Sequence, residues 1–249
     1  MKWTSSARSD IGRVRTTNED AWFADDARGV FLVADGMGGH AAGEVASQMA
    51  TERIGTAICR LRDADSGVDA VKTGIGEAVK KANHEIVERA AREQDKKGMG
   101  TTLTTLVLFP SATYVVGQVG DSRAYLLRGK QFQQLTKDHT VVQEQVDRGL
   151  LTGDQARLHP LSHILTRALG AQSDVKVDVL TGTAQPGDIF LLASDGLSGM
   201  VEDAEMRTIL ARDPQAPLGA MAEALVEAAK KEGGVDNVTV LLVRILPED

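Results

Sequence analysis

The sequence has a single cysteine, Cys59, among its 249 residues. A disulfide framework within the chain is therefore excluded, which suits a reducing compartment. Its setting, RIGTAICRL, makes it a small residue of a helix core. Aromatics are scarce at 4%, so the core must be built mainly from Val, Leu, Ile, Ala and Met. No run approaches the roughly 18 apolar residues of a membrane span, and the N-terminal MKWTSSARSD lacks the apolar segment of an export signal. The cytoplasm is the expected location, with no membrane partner. A basic excess is missing as well. The formal net charge of −7 argues against broad nucleic-acid affinity, which needs clustered Lys and Arg to displace counterions. It leaves an anionic substrate open, because a bound cation reverses the field locally. There is no internal repeat, no low-complexity tract and no Pro/Ser linker long enough to divide the chain. A single domain over residues 1–249 is expected.

What is present is the composition of a globular protein, 42% hydrophobic and 25% charged. GVFLVAD (29–35) predicts a buried strand. Helical spacing over 44–61 offers Val45, Met49, Ile54, Ile58 and Leu61 to one face. A second helix is predicted over 71–92, although Gly74 and Gly76 weaken its start. The period then changes. TTLTTLVLF, ATYVVGQVG, SRAYLLR and QFQQL are β-rich runs separated by Pro-Ser, Gly-Asp and Gly-Lys, the pattern of antiparallel strands joined by tight turns. Residues 140–170 are polar, and Thr140 with Gln143 and Thr152 with Gln155 have the spacing of capping boxes. Strands are predicted again at VKVDVL (175–180), DIFLLAS (188–194) and NVTVLLVRI (237–245). Helices are predicted near 203–211 and 217–231, with Pro217 in a first turn and Gly233 at a helix end. Paired helices and a strand meander favour an α+β arrangement of stacked sheets over a doubly wound parallel sheet.

Four stretches place an aspartate after an apolar run, beside Gly or Asn: VADG (Asp35), QVGDSR (Asp121), LLASDGL (Asp195) and GGVDNVTV (Asp236). A further acidic pair, Glu19 and Asp20, lies in VRTTNEDAW. Taken singly, each acid also fits an ordinary turn or cap. Together at strand ends they would be costly to desolvate as free anions, and a divalent cation removes that cost. Oxygen ligands without histidine or thiolate favour Mg²⁺ or Mn²⁺ over zinc. The glycines of VADGMGGHAAGE serve either a tight turn or a close approach to the backbone.

The motifs SDIGRVRTTNEDAW, VADGMGGHAAGE, GMGTTLTTLVL, VGDSRAYLLR, LTKDHT, LTRALG, LLASDGL and DNVTVLLV occur in this order. With them the chain resembles the metal-dependent serine/threonine protein phosphatases of type 2C in their compact bacterial form. The resemblance implies a four-layer α-β-β-α sandwich, two antiparallel sheets flanked by helices, with a metal pair at one end between the sheets. It implies that Asp35 bridges two Mn²⁺ or Mg²⁺ ions, that the Gly36 carbonyl completes one shell, and that Asp195 and Asp236 ligate the second. Asp121 matches a position that holds a third, weaker metal together with Asp195. Glu19 and Asp20 resemble residues that hold metal-bound waters, and Arg15 the phosphate-binding arginine. The implied reaction is hydrolysis of phosphoserine and phosphothreonine in proteins by a metal-bridging water or hydroxide. Phosphorylated proteins are the implied substrates and a serine/threonine kinase the opposing partner; the chain is expected to be a monomer. Met37 stands where some relatives have a general-acid histidine. His40 is nearby, as in the bacterial pattern, where a turn role and a proton-donor role are both open. His84, His139, His159 and His163 read as structural or surface residues, and 140–170 corresponds to the family's flap. A non-catalytic relative would be expected to lack the acids or the arginine. A phosphodiesterase or nuclease is disfavoured by the net acidity and the absence of a basic, aromatic-lined strand.

Overall fold

A computed structural model of the chain describes residues 1–38 and 42–247. Its strands form two antiparallel sheets. One runs in the order β1 (Trp3–Asp10), β11 (Val238–Ile245), β10 (Ile189–Ala193), β7 (Arg123–Arg128) and β8 (Gln131–Gln134). The other runs β2 (Asp20–Asp25), β3 (Val30–Met37), β5 (Leu103–Leu108), β6 (Thr113–Val119) and β9 (Asp178–Thr183), with the two-residue β4 (Gly100–Thr101) paired to β3.

The layers follow from side-chain alternation. In β3, Val30 and Leu32 face the helices α1 (Ala42–Asp63) and α2 (Val68–Arg92), while Phe31 and Val33 face the other sheet. In β10, Ile189 and Leu191 pack under α5 (Asp195–Ser198), α6 (Asp203–Ala211) and α7 (Leu218–Lys231), and Phe190 and Leu192 turn inward. Strands buried on both faces need no polar alternation, which is why they read as continuous apolar runs. Each such Val, Leu or Phe contributes about 1.5–3 kcal/mol by leaving water. Tyr114 meets Phe190 edge-to-face at 5.1 Å in the middle layer. The four-layer sandwich implied by the resemblance is the architecture found.

Several local expectations need correction. The buried stripe of α1 runs through Ala46, Ala50, Ile54 and Ile58, while Val45, Met49 and Leu61 lie at its margin. Alanine on that stripe lets the helix lie close to the sheet. α2 begins at Val68, ahead of the predicted start, so Gly74 and Gly76 lie within the helix, and a Cβ at Gly74 would meet the tip of the Leu61 side chain. β9 begins at Asp178, later than predicted, and Val175 packs instead into the core beneath the helices. Pro217 caps α7 from outside its first turn. β1 and β2 have no counterpart among the predicted strands; both are largely polar or half-buried.

Residues 140–170 carry α3 (Val141–Asp147) and α4 (Gly153–Arg157). The Thr152–Gln155 capping box closes in both directions, whereas at Thr140 only the hydroxyl accepts, from the Gln143 N–H at 3.2 Å. Among the described residues, no helix is long and apolar enough to cross a membrane.

Candidate active site

At one rim of the sandwich the strand ends bring the acids together. Asp20 on β2 is the cross-strand partner of Asp35 on β3, a placement that is destabilising for two like charges. Asp121 sits in the turn that carries the chain from β6 in one sheet to β7 in the other. Asp195 opens α5 directly after β10, and Asp236 stands just before β11. The site therefore draws on both sheets.

The acids perturb one another. The Asp35 carboxyl shares a hydrogen bond with Asp195, and its pKa lies well above the usual carboxylate range because of burial and the charges of Asp195, Asp20 and Asp121. Asp121 is raised by burial and by Asp195, and Asp195 by burial, against the Asp35 hydrogen bond. Asp20 is pushed up to about 7, first by burial, although hydroxyls of Thr239 and Ser194 favour its anion. Ser194 Oγ accepts the Thr239 N–H at 2.9 Å and donates to Asp20 Oδ2 at 2.8 Å. Asp236 accepts from Arg15 Nη2 at 2.7 Å and from the Asn237 N–H at 2.8 Å.

Glu19 serves the frame as well as the rim. Its N–H donates to Asn237 Oδ1 at 2.8 Å, and its carbonyl accepts from Gly36 N–H at 3.1 Å and Ser47 Oγ at 2.6 Å. Its carboxylate accepts the Gly43 N–H in the first turn of α1, and burial raises its pKa. The glycines have the same local logic. A Cβ at Gly36 would overlap the carbonyl oxygens of Glu19 and Gly43, and one at Gly196 the carbonyl of Asn237. What approaches the backbone beside Asp35 and Asp195 is the chain itself. His40 lies outside the described residues. His139 is structural: buried, it accepts the Gly120 N–H on Nδ1 at 3.0 Å and faces Asp178 with Nε2.

The donor set fits a hard cation. Glu19 Oε1, Asp20 Oδ1 and Asp195 Oδ1 are buried without a hydrogen-bond partner, a cost that native structures rarely leave unanswered. All donors are oxygens, as Mg²⁺ or Mn²⁺ prefers. Among the described residues no three His, Cys, Asp or Glu side chains already stand as a cation cage. Asp35 and Asp195 hold each other, and Asp236 holds Arg15.

The acids and Arg15 are legible as residue types in the sequence. Ser194, Thr239 and Asn237, which hold Asp20, Glu19 and the segment bearing Arg15, are not. Their signal was a polar residue beside a buried apolar run, in LLASDGL and DNVTVLLV.

A family model described as Protein phosphatase 2C matches residues 12–238. The chain is 41% identical over 239 residues to the serine/threonine phosphatase stp of Listeria innocua, covering 95% of this chain and 93% of that protein. It is 39% identical to the Mycobacterium tuberculosis serine/threonine phosphatase PstP/Ppp in a crystal structure, with a TM-score of 0.88 over 99% of this chain and 100% of that one. A crystal structure of the catalytic domain of PstP in complex with 2 manganese ions is also 39% identical, with a TM-score of 0.84 and coverage of 98% and 99%. A family match across most of the chain, a near full-length relative and a shared sandwich agree with the acidic rim: this chain belongs to the protein phosphatase 2C family.

Proposed function

We propose that this protein phosphatase removes phosphate from phosphoserine and phosphothreonine in other proteins, at the rim where Asp35, Asp195 and Asp236 hold two divalent ions. The observation that carries the reading is the convergence of acids from both sheets with buried oxygens left unpartnered. Manganese is the favoured ion, by analogy with the two ions in the PstP complex, and magnesium is the alternative. Glu19, Asp20 and the Gly36 carbonyl would support the pair, and Asp121 with Asp195 a third ion. When bound, the ions supply Lewis acidity, lowering the pKa of water and offsetting phosphoryl charge.

The chain's own residues do the positioning. Arg15 is half-exposed, and its planar fork can turn from Asp236 to two oxygens of one phosphate. Ser194 and Thr239 fix the carboxylate of Asp20. Cys59 is no candidate nucleophile: burial and Asp25 push its thiol up to about 11. We place the chain in the cytoplasm as a one-domain monomer opposing a serine/threonine kinase, with residues 140–170 as a flap that influences substrate choice.

Manganese-dependent phosphate release from a phosphothreonine peptide, with little turnover of bis-p-nitrophenyl phosphate, is the expected result. Preference for the diester would move the assignment to a phosphodiesterase, and no turnover of either to a non-catalytic relative. Arg15→Ala should raise KM for the peptide about tenfold or more, the scale of a lost charge-assisted hydrogen bond. Unchanged KM and kcat would retire its phosphate role.

A further inference from the structure

Arg15 is carried by a segment that belongs to neither a helix nor a strand. Between β1 and β2 the residues from 13 to 17 are exposed, with Val14 64% accessible. Something must nevertheless hold the guanidinium at the rim, because a phosphate clamp that is free to wander contributes little to binding.

We infer that Asn237 is the positioning residue for Arg15, an inference that rests on the phosphate role proposed above. Its side chain is buried at 5% exposure. Nδ2 donates to the carbonyls of Ile11 at 3.0 Å and Thr17 at 2.9 Å, and Oδ1 accepts the Glu19 N–H at 2.8 Å. One amide thus ties both feet of the arch on whose crown Arg15 stands. The amide orientation is fixed by its partners, since a flip would set oxygen against two carbonyls and N–H against N–H. Two further ties assist: Gly12 N–H to Asp10 Oδ1 at 2.8 Å, and Arg13 N–H to the Gly234 carbonyl at 2.7 Å. Asn237 directly follows Asp236, the residue Arg15 grips at 2.7 Å. Arch, arginine and acid are therefore registered by two consecutive residues of one strand entry.

Asn237→Asp keeps the shape but turns an acceptor toward two carbonyls, and Asn237→Ala leaves three backbone groups unpaired. With saturating manganese, both should raise KM for a phosphothreonine peptide roughly five- to tenfold while kcat moves less, the signature of lost binding. The decisive arm is the same change made in an Arg15→Ala background, where the Asn237 effect should shrink to within about twofold, because coupled residues are non-additive. Manganese affinity, followed by titration calorimetry, should stay within about twofold of the parent throughout. An undiminished KM effect without Arg15, a parallel fall in manganese affinity, or unchanged KM would each overturn the inference. If Arg15→Ala alone leaves KM unchanged, the phosphate role of Arg15 falls first and this inference with it. Where the alanine variant does not fold, Asn237→Ser, which keeps one donor, replaces it. If neither folds, Asn237 is a stability residue and the inference fails.

Discussion

Asp35→Asn is expected to cut kcat/KM on a phosphothreonine peptide by at least about 10³-fold, while raising the melting temperature of the metal-free protein. The two effects have one cause. Asp35 faces Asp20 across the strands and shares a hydrogen bond with Asp195, so the fold opposes its charge. An amide of the same shape removes that repulsion and still donates to Asp195. The backbone around it is untouched: the Asp35 N–H donates to Thr102 Oγ1 at 2.9 Å, and its carbonyl accepts from Thr102 N–H and Thr101 Oγ1, both at 2.9 Å. What disappears is the anion that the proposed function assigns to the cation pair. Calorimetry in EDTA beside a turnover assay in manganese tests both halves. A variant that is inactive but also less stable without metal would mean that Asp35 is structural rather than electrostatically frustrated.

Chelation should abolish activity and also reverse the pH dependence of stability. Asp20, Asp35, Asp121 and Asp195 all hold protons more tightly in the folded chain than a free carboxyl would. Well below pH 3.8 both states are protonated and nothing is lost. As pH rises, the unfolded chain releases its protons first, so the folded state loses stability up through its own pKa values. For Asp20 that window runs from 3.8 to about 7. His139, whose protonation burial disfavours, works in the opposite sense below about 6.5, so pH 6.5 to 8 is the clean interval. There the melting temperature in EDTA should fall with rising pH, and Asp20→Asn should flatten the slope. Manganese needs deprotonated ligands and should stabilise more at pH 8 than at pH 6.5. At about 100 times its dissociation constant the gain is roughly 2.7 kcal/mol, on the order of 5–10 °C for a chain of this size. Equal gains at both pH values, or a melting point in EDTA that climbs with pH, would contradict the crowded-acid account.

The fold was legible where burial is strongest. β3, β10 and β11 are apolar on both faces, and such runs declare themselves without alternation. β1 was opaque for the opposite reason: WTSSARSD is a half-buried edge strand whose identity comes from its pairing with β11 rather than from its own residues. The same limit governs the site. Asp35, Asp121, Asp195 and Asp236 stand out as acids ending apolar runs. The opposition of Asp20 to Asp35 depends on strand register, which a sequence with an unread β2 does not reveal. Asn237 reads as a turn residue until its three partners are seen to come from residues more than two hundred positions away.

The middle layer has a consequence for how this molecule can fail. Phe31 and Phe190 set the spacing between the sheets, yet neither lies at the rim. Since the acids are shared between the sheets, a methylene trimmed from that layer would tilt one half of the binding constellation against the other. Damage deep inside would thus first be felt as weakened ion capture at the edge, before any strand came apart.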